Sequence, residues 1–425
     1  MMDLERYNFH WRDGFNYDFP KKRENYDILA KSLLKTRITV ITGTRRTGKT
    51  TIMKQLMDWL IEHGTPRPHI LYYSFDEEQP QIRQIVDEYE KKIGKEIAFS
   101  KNKYFLLLDE VQKLDDWQNK VKYFYDHFKN LKIVISGSAS LFIKKGVRES
   151  LAGRVADFSL GPLSFREYLL FTGKDPLLKD INLHSQILKK EFEKYFRRQY
   201  IEIVTGDEDE IRDYAKSILE KVVYVDIPHL VSVENPNILM RLTRIISSNP
   251  GMLMEYSKLA DTLGQESPVS RMRISNYIHY LEDSYLIKLG YNYSKSGVVS
   301  ERKLKRAYLS NPSLSYFSDT NTDTGKLVEQ TLFLMSGAKF FWRNPQKQEV
   351  DIVLESEGKA LPVEVKYQNQ VSKSDLKGLK GFMKRYNASL GLLISKDIED
   401  SVKTPCGEIR IIPAWNVSLS GFQGF

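Results

Sequence analysis

The chain has 425 residues, 41% hydrophobic and 28% charged, with only 24 Gly and 15 Pro; this excludes a collagen-like, low-complexity or mostly disordered polymer and predicts roughly two to four domains. Sixty-four Lys and Arg against 55 Asp and Glu leave a net charge of +9, which permits a polyanionic partner without demanding one. The single cysteine, Cys406, excludes an internal disulfide or a cysteine-based metal site, the N-terminus lacks the basic-then-apolar order of a signal peptide, and no apolar run nears the roughly 20 residues of a bilayer span, so a cytoplasmic protein with no membrane partner is expected.

The first third alternates short apolar runs with helical spacing. Arg37–Thr42 reads as a strand, followed by a Gly-rich turn and a helix over Thr50–His63. Further strands are expected at His69–Phe75, Tyr104–Leu108, Leu131–Ser136 and Ala156–Leu160, with helices at Gln79–Ile93 and Trp117–Phe128. Strands that alternate with helices and lack hairpin turns predict an α/β unit with a parallel sheet covered on both faces. After Gly161-Pro162 the spacing is mostly helical to about Pro236. Three short helical segments follow to about Ser296. From about Tyr308 there is one helix, then alternating strands and a further helix.

Gly43-Thr44-Arg45-Arg46-Thr47-Gly48-Lys49-Thr50 matches G-x-x-x-x-G-K-[ST] between an expected strand and an expected helix. Phosphate binding needs backbone N–H groups wrapped round an anion, so the loop must be small and glycine-rich. The nucleotide-binding stretch is therefore Gly43 to Thr51. Lys49 is expected to reach the β- and γ-phosphates of ATP, and the Thr50 hydroxyl to ligate Mg²⁺. Phe105–Glu110 is an apolar strand ending in two carboxylates, Asp109 to hold Mg²⁺ and Glu110 to polarise the attacking water. The next strand ends in Ser136-Gly137-Ser138, of which Ser136 or Ser138 is a candidate polar sensor of the γ-phosphate; the alternative is a strand-end turn. Arg154 is a candidate phosphate contact, in cis or across a subunit interface, or else a structural helix-end arginine.

The motifs I-T-G-T-R-R-T-G-K-T-T, L-L-L-D-E-V-Q-K, I-S-G-S-A-S, L-A-G-R-V and P-L-S-F-R-E-Y occur in that order. This resembles the AAA-superfamily P-loop ATPases of archaea and bacteria in which an ATPase core precedes a C-terminal nuclease-like domain of unknown function. The resemblance implies an ATPase core with a parallel sheet over residues 1–163, a helical lid over 164–236, a winged helix-turn-helix over 237–300 and a restriction-endonuclease-like α/β domain over 301–425. Many members carry a Gly-Gly-Phe-Pro turn in the lid. Here the corresponding stretch is Tyr200–Gly206, which departs from that pattern.

Ile238–Ser247, Glu255–Leu263 and Ser270–Tyr285 read as the three helices of the winged region, with Leu286–Asn292 a strand leading into a wing. Leu259, Ala260 and Leu263 are the expected apolar face of the second helix; Met272, Tyr277, Ile278, Leu281, Tyr285 and Leu286 are that of the third. Gly264 ends the second and Ser270 caps the third. The outer side of the third helix then offers Arg271, Arg273, Ser275, Asn276 and His279, of which Arg271, Arg273 and Asn276 are the candidate DNA contacts. Between Arg271 and Arg306 there are eight Lys/Arg against three Asp/Glu, which suits phosphate contacts beside a recognition helix. The competing reading is a protein-contact module.

In the last segment Gly325–Met335 reads as a helix bearing Glu329, Glu349–Leu354 as a strand bearing Asp351, and the strand ending at Lys366 carries Glu364 and Lys366 on one face. This resembles the PD-(D/E)xK nuclease core. By that resemblance Asp351 and Glu364 bind Mg²⁺ or Mn²⁺, Glu329 completes the site, and Lys366 helps position hydroxide for attack on a phosphodiester. Lys366 alone supplies too little positive charge for three carboxylates, which argues for a metal there. The competing reading is a fold that has lost its chemistry.

The leading expectation is thus an ATPase that acts on DNA, with a winged-helix arm and a metal-dependent nuclease site. The rival is an ATP/ADP signalling switch whose C-terminal domain binds a protein partner, or a second copy, without cutting.

Overall fold

The computed structural model describes residues 2–138, 151–265, 268–317, 322–356 and 358–422. Contacts divide the chain into two compact units, the first over Met1–Gly161 and Asp283–Tyr285 and the second over Pro162–Glu282 and Leu286–Phe425. The segments expected as lid, winged region and nuclease-like domain fall in the second unit, apart from Asp283–Tyr285 of the winged region.

The first unit is a five-stranded parallel sheet. Its strands are β1 (Ile38–Gly43), β2 (Ile70–Ser74), β3 (Tyr104–Asp109), β4 (Leu131–Ser138) and β5 (Val155–Leu160), in the spatial order β2-β3-β4-β1-β5. Strand β4 thereby stands between the strand that feeds the glycine-rich loop and the strand that ends in Asp109. Alternate side chains of each strand feed two separate cores. Ile41, Tyr72, Leu107 and Val134 pack under helices α1 (Tyr26–Ser32) and α2 (Lys49–Glu62). Val40, Tyr73, Leu106 and Ile135 pack under α3 (Ile82–Ile93) and α4 (Trp117–His127). This is why β1–β3 read as unbroken apolar runs: both faces of a parallel sheet are covered.

An N-terminal arm, for which the sequence carried no periodic signal, lies along β2, the outermost strand on one side. The Asn8 amide brackets Tyr72, donating to its carbonyl (2.9 Å) and accepting from its N–H (2.7 Å). His10 Nε2 and Trp11 Nε1 both meet the Ile70 carbonyl, at 3.0 and 2.7 Å. The arm thus satisfies edge groups that would otherwise pair with another chain.

The second unit begins with α5 (Phe165–Phe171), α6 (Ser185–Tyr195) and α7 (Glu208–Lys221). Ser164 and Glu167 form a capping box on α5, and Asp207 and Glu210 form one on α7. The Tyr200–Gly206 stretch makes a single 3-10 turn, and its Tyr200 and Ile203 enter the same core as α7. Next come α8 (Pro236–Ser248), β6 (Met252–Leu253), α9 (Tyr256–Leu263), α10 (Arg271–Asp283), β7 (Ile287–Asn292), α11 (Gly297–Arg302) and β8 (Arg306–Leu309). β8 pairs antiparallel with both β7 and β6.

The remainder holds α12 (Thr324–Met335), β9 (Phe340–Arg343), β10 (Glu349–Ser356), β11 (Lys359–Val365), α13 (Lys377–Tyr386), β12 (Leu390–Ser395), β13 (Asp400–Thr404), β14 (Gly407–Pro413) and α14 (Ala414–Ser420). A parallel pairing of β7 with β9 joins these strands to β6–β8. The result is one nine-stranded sheet in the order β13-β14-β12-β11-β10-β9-β7-β8-β6. The wing-side strands and the C-terminal strands are therefore continuous, a join across about 50 residues that periodicity within either segment does not reveal.

Candidate nucleotide site and C-terminal carboxylate cluster

β1 ends at Gly43, where a Cβ would stand 2.4 Å from the Leu160 carbonyl, so the first glycine of the loop is required by close approach of the backbone. Gly48 closes the loop at φ +89°, a conformation only glycine takes cheaply, and serves as N-cap of α2. Arg46 takes the left-handed region as well, at φ +61°. Lys49 is buried and turns back into the loop, donating to the carbonyls of Gly43 (3.3 Å) and Thr44 (3.1 Å). Thr47 Oγ1 donates to the Thr44 carbonyl at 2.9 Å, while the buried Thr44 hydroxyl has no hydrogen-bond partner. Arg45 lies in the loop, and Thr51 is the third residue of α2. A cation and an orphaned hydroxyl inside a ring of backbone amides suit a phosphate chain. Arg23, which the motif does not include, braces the loop from outside through the Thr47 carbonyl (2.9 Å) and the Gly161 carbonyl (3.0 Å).

Asp109 is buried and fixed by four donors. Thr50 Oγ1 (2.6 Å) and Tyr72 Oη (3.0 Å) bind Oδ2; the Glu110 N–H (3.1 Å) and Ser136 Oγ bind Oδ1. The structure thus joins the two expected Mg²⁺ ligands, Thr50 and Asp109, although they are 59 residues apart. Ser136 holds the Asp109 carboxylate, a role its position at a strand end did not reveal. The side chain of Ser138 lies outside the described residues.

Glu110 sits at φ +54°, a backbone strain often kept at functional positions. Burial raises its pKa, Lys49 lowers it, and Asp109 raises it. Gln112 donates to Glu110 Oε2 at 2.5 Å, a restraint two residues along that the sequence reading missed. The signal was present in the short Asp-Glu-x-Gln spacing.

The candidacy of Arg154 as a phosphate contact in cis is corrected. Its carbonyl accepts from the Ile38 N–H (2.9 Å), at the start of β1. The loop lies at the other end of that strand, about 20 Å away at about 3.3 Å per residue. Within one chain Arg154 cannot reach a phosphate in the loop. Its guanidinium pairs with Asp126 on α4, Nε to Oδ1 at 3.1 Å.

On α10, Arg271, Asn276 and His279 are exposed, and Ser270 Oγ caps the helix by accepting from the Arg273 N–H (3.1 Å). Arg273 is half-buried and paired with Glu234. Met272, expected in the core, is 69% exposed; Ile274 fills that place with Tyr277, Ile278 and Leu281. The buried stripe runs Ile274, Tyr277, Ile278, Leu281, and Met272, two residues before Ile274, stands about 200° round the helix from its first member.

The C-terminal set is brought together, but with a residue the charge count omitted. β10 and β11 form the expected hairpin, in register Ile352↔Val363, and Asp351 Oδ2 accepts the Val365 N–H (3.0 Å). Glu329 reaches in from α12. Between Glu329 and Asp351 lies Arg306 of β8, only 4% exposed. Its Nη1 donates to Glu329 Oε1 (2.9 Å) and Asp351 Oδ1 (3.0 Å), and its Nη2 binds Glu349. Tyr308 Oη donates to Glu329 Oε1 (2.9 Å), and Lys326 Nζ to Oε2 (2.6 Å). Lys366 Nζ donates to Glu364 Oε1 (2.7 Å), and Glu364 Oε2 has no partner.

Burial pushes the Glu364 carboxyl up to about 8, with Asp351 adding to the rise. Burial also opposes charge on Asp351, yet Arg306 and Lys366 hold it below the ordinary carboxylate value. The expectation that Asp351, Glu364 and Glu329 need a metal rested on too few positive charges. Arg306, read in the sequence as part of a DNA-facing basic stretch, supplies the missing one. Among the described residues no group of three or more His, Cys, Asp or Glu side chains is placed to hold a metal ion.

No helix among the described residues is long and apolar enough to cross a membrane. Residues 186–323 and 325–416 match two family models, each described as a domain of unknown function. The chain is similar to an uncharacterized protein of Haemophilus influenzae, 30% identical over 264 residues; the match spans 61% of this chain and 64% of that one. It is also similar to an uncharacterized protein of Methanocaldococcus jannaschii, 28% identical over 95% of this chain and 93% of that one. Among solved structures it is similar to the Aeropyrum pernix ORC1 protein in complex with DNA, at 13% identity and a TM-score of 0.32, covering 75% of this chain and 97% of that one. Residues 35–169, which carry the parallel sheet and its glycine-rich loop, match the family model described as AAA domain.

Proposed function

We propose that this chain is a Mg²⁺-dependent ATPase that works on DNA from the cytoplasm. The observation that carries ATP hydrolysis is the bond between Thr50 and Asp109 beside Lys49 and Glu110. Thr50 and Asp109 would hold Mg²⁺, which offsets the charge of the β- and γ-phosphates. The loop amides and Lys49 bind the phosphates, and Lys49 exchanges its two carbonyl partners for phosphate oxygens. Glu110, half-buried and oriented by Gln112, accepts the proton of the attacking water.

The order helix, strand, helix, helix, strand, helix, strand over α8 to β8, with the short α11 between the two antiparallel wing strands, supports a winged-helix reading. We read α10 as its recognition helix, with Arg271 and Asn276 free to meet a duplex and Arg273 exchanging Glu234 for phosphate. A second reading, the ATP/ADP switch with an inert C-terminal half, is favoured by one observation: Arg306 already neutralises the carboxylates of that half.

ATP turnover by the pure chain, with and without DNA, is the test. Lys49→Ala should abolish binding or turnover. Glu110→Gln should bind ATP and fail to hydrolyse it; parental turnover in Glu110→Gln would remove Glu110 as the base. Nucleotide-dependent DNA affinity supports the first reading, and tightly retained ADP without DNA affinity the second.

A further inference from the structure

A PD-(D/E)xK-like cluster normally recruits a divalent cation through its carboxylate oxygens, and here most of those oxygens already accept hydrogen bonds. Glu329 uses both oxygens: Oε1 accepts from Arg306 and Tyr308, and Oε2 from Lys326. Asp351 also uses both, one for Arg306 and one for the Val365 N–H. Glu364 gives one oxygen to Lys366 and keeps one free. A Mg²⁺-like ion takes about six oxygens, one or two usually from carboxylates and the rest from water or substrate phosphate; here both oxygens of Glu329 and of Asp351 already accept hydrogen bonds, and the one free oxygen belongs to a carboxylate paired with Lys366.

Arg306 is not a mobile side chain that drifted in. It is anchored in β8 opposite Leu253 and Gly290, and its guanidinium lies over the Phe341 ring at 4.8 Å. Its charge cannot be shed, since a guanidinium stays protonated in proteins. A dication placed among the same carboxylates would face this fixed positive charge at close range, with little water to screen it. The guanidinium also bonds two elements that are distant from it in sequence: α12 through Glu329, and β10 through Glu349 and Asp351. It ties the C-terminal layer to the strand that closes the three-helix region.

We infer that Arg306 is the resident cation of this carboxylate cluster, and that the C-terminal domain takes no divalent ion and works as a non-cleaving extension of the helical arm. The residues of the nuclease-like set then do structural work. Glu329 and Asp351 receive Arg306, Lys366 covers Glu364, and β8 is fixed against β10 and α12. Phosphodiester cleavage by a metal-activated water has no place in this arrangement.

The test uses the full chain without nucleotide. Mn²⁺ is titrated calorimetrically into the parent and into Asp351→Asn, and both are incubated with supercoiled DNA and Mn²⁺. Superposable isotherms and uncut DNA are expected. Mn²⁺ heat or nicking that Asp351→Asn abolishes would overturn the inference. Should Asp351→Asn fail to fold, Glu364→Gln takes its place, because Glu364 has one partner and one free oxygen. In a second arm, Arg306→Ser vacates the guanidinium position and bares Glu329 and Asp351 to each other. Its melting temperature should rise with Mn²⁺ while that of the parent does not move. A folded Arg306→Ser that ignores Mn²⁺ would show that the guanidinium does not stand where a cation binds. ATP turnover in the parent is read in parallel; its named residues Lys49, Thr50, Asp109 and Glu110 all lie in the first unit, so failure of the ATPase reading is distinguishable from failure of this one.

Discussion

Replacing Arg306 by Leu removes the only guanidinium that, among the described residues, is bonded to Glu329 and Asp351, which are 3% and 6% exposed. Taking one partner from a buried ion pair leaves an uncompensated charge and costs about 3–5 kcal/mol. Here one cation serves two buried carboxylates and the half-buried Glu349, so the upper part of that range is expected. For a unit of this size that is a loss of about 10 °C or more in melting temperature.

The carboxylates can escape by taking up protons, which makes the loss depend on pH. In the variant the folded-state pKa values of Glu329 and Asp351 rise above their unfolded values. Stability from their neutral forms is then present below the unfolded pKa and is lost as pH rises through the folded one. The gap between parent and variant should therefore be larger at pH 8 than at pH 5. Calorimetric unfolding of the full chain at both pH values measures it, read on the transition of the second unit. The triple variant Arg306→Leu, Glu329→Gln, Asp351→Asn should recover much of the loss. A loss under about 1 kcal/mol, the worth of an exposed pair, or a loss that is the same at both pH values, would refute the reasoning.

His10 is fully buried between Tyr17 and the Ile70 carbonyl, and burial holds its pKa at about 4 against an ordinary 6.5. Between those values the unfolded chain binds a proton that the folded chain refuses, so stability should fall as pH drops through that window, by up to about 3 kcal/mol; urea titrations of the parent and of His10→Phe check this, the variant having the flatter profile. Gln112→Ala removes the donor to Glu110 and should lower kcat for ATP about tenfold, equivalent to about 1.4 kcal/mol, with KM unchanged; steady-state kinetics at parental kcat would rule out a positioning role. Arg271→Ala with Arg273→Ala should weaken duplex DNA binding and reduce the slope of log K against log salt by about 0.9 per lost contact; fluorescence anisotropy at several salt concentrations measures it, and an unchanged slope would move α10 to protein contact.

The nucleotide site was legible because its chemistry is contiguous. A loop that wraps a phosphate needs its two glycines, lysine and threonine within eight positions. A strand that presents two carboxylates at its tip must carry them side by side, as Asp109 and Glu110 are. The parallel sheet followed from the same locality, since strands buried on both faces spell apolar runs. What the chain order concealed was which charges meet. That Ser136, a candidate phosphate sensor at a strand end, also holds Asp109 follows only from the parallel pairing of β3 and β4. The register of β5 on β1 puts Arg154 at the far end of the sheet from the loop and so excludes a phosphate contact in cis. Arg306 looked like one more basic residue beside a recognition helix, because the strand it opens had no visible partner. Only the pairing of β8 with β7 and of β7 with β9 carries that side chain to Asp351, 45 residues away, and decides that a guanidinium balances the cluster. Local backbone geometry is written in neighbouring residues. Charge balance in a buried cluster is a sum over every element that reaches it, and only the tertiary fold determines which elements those are.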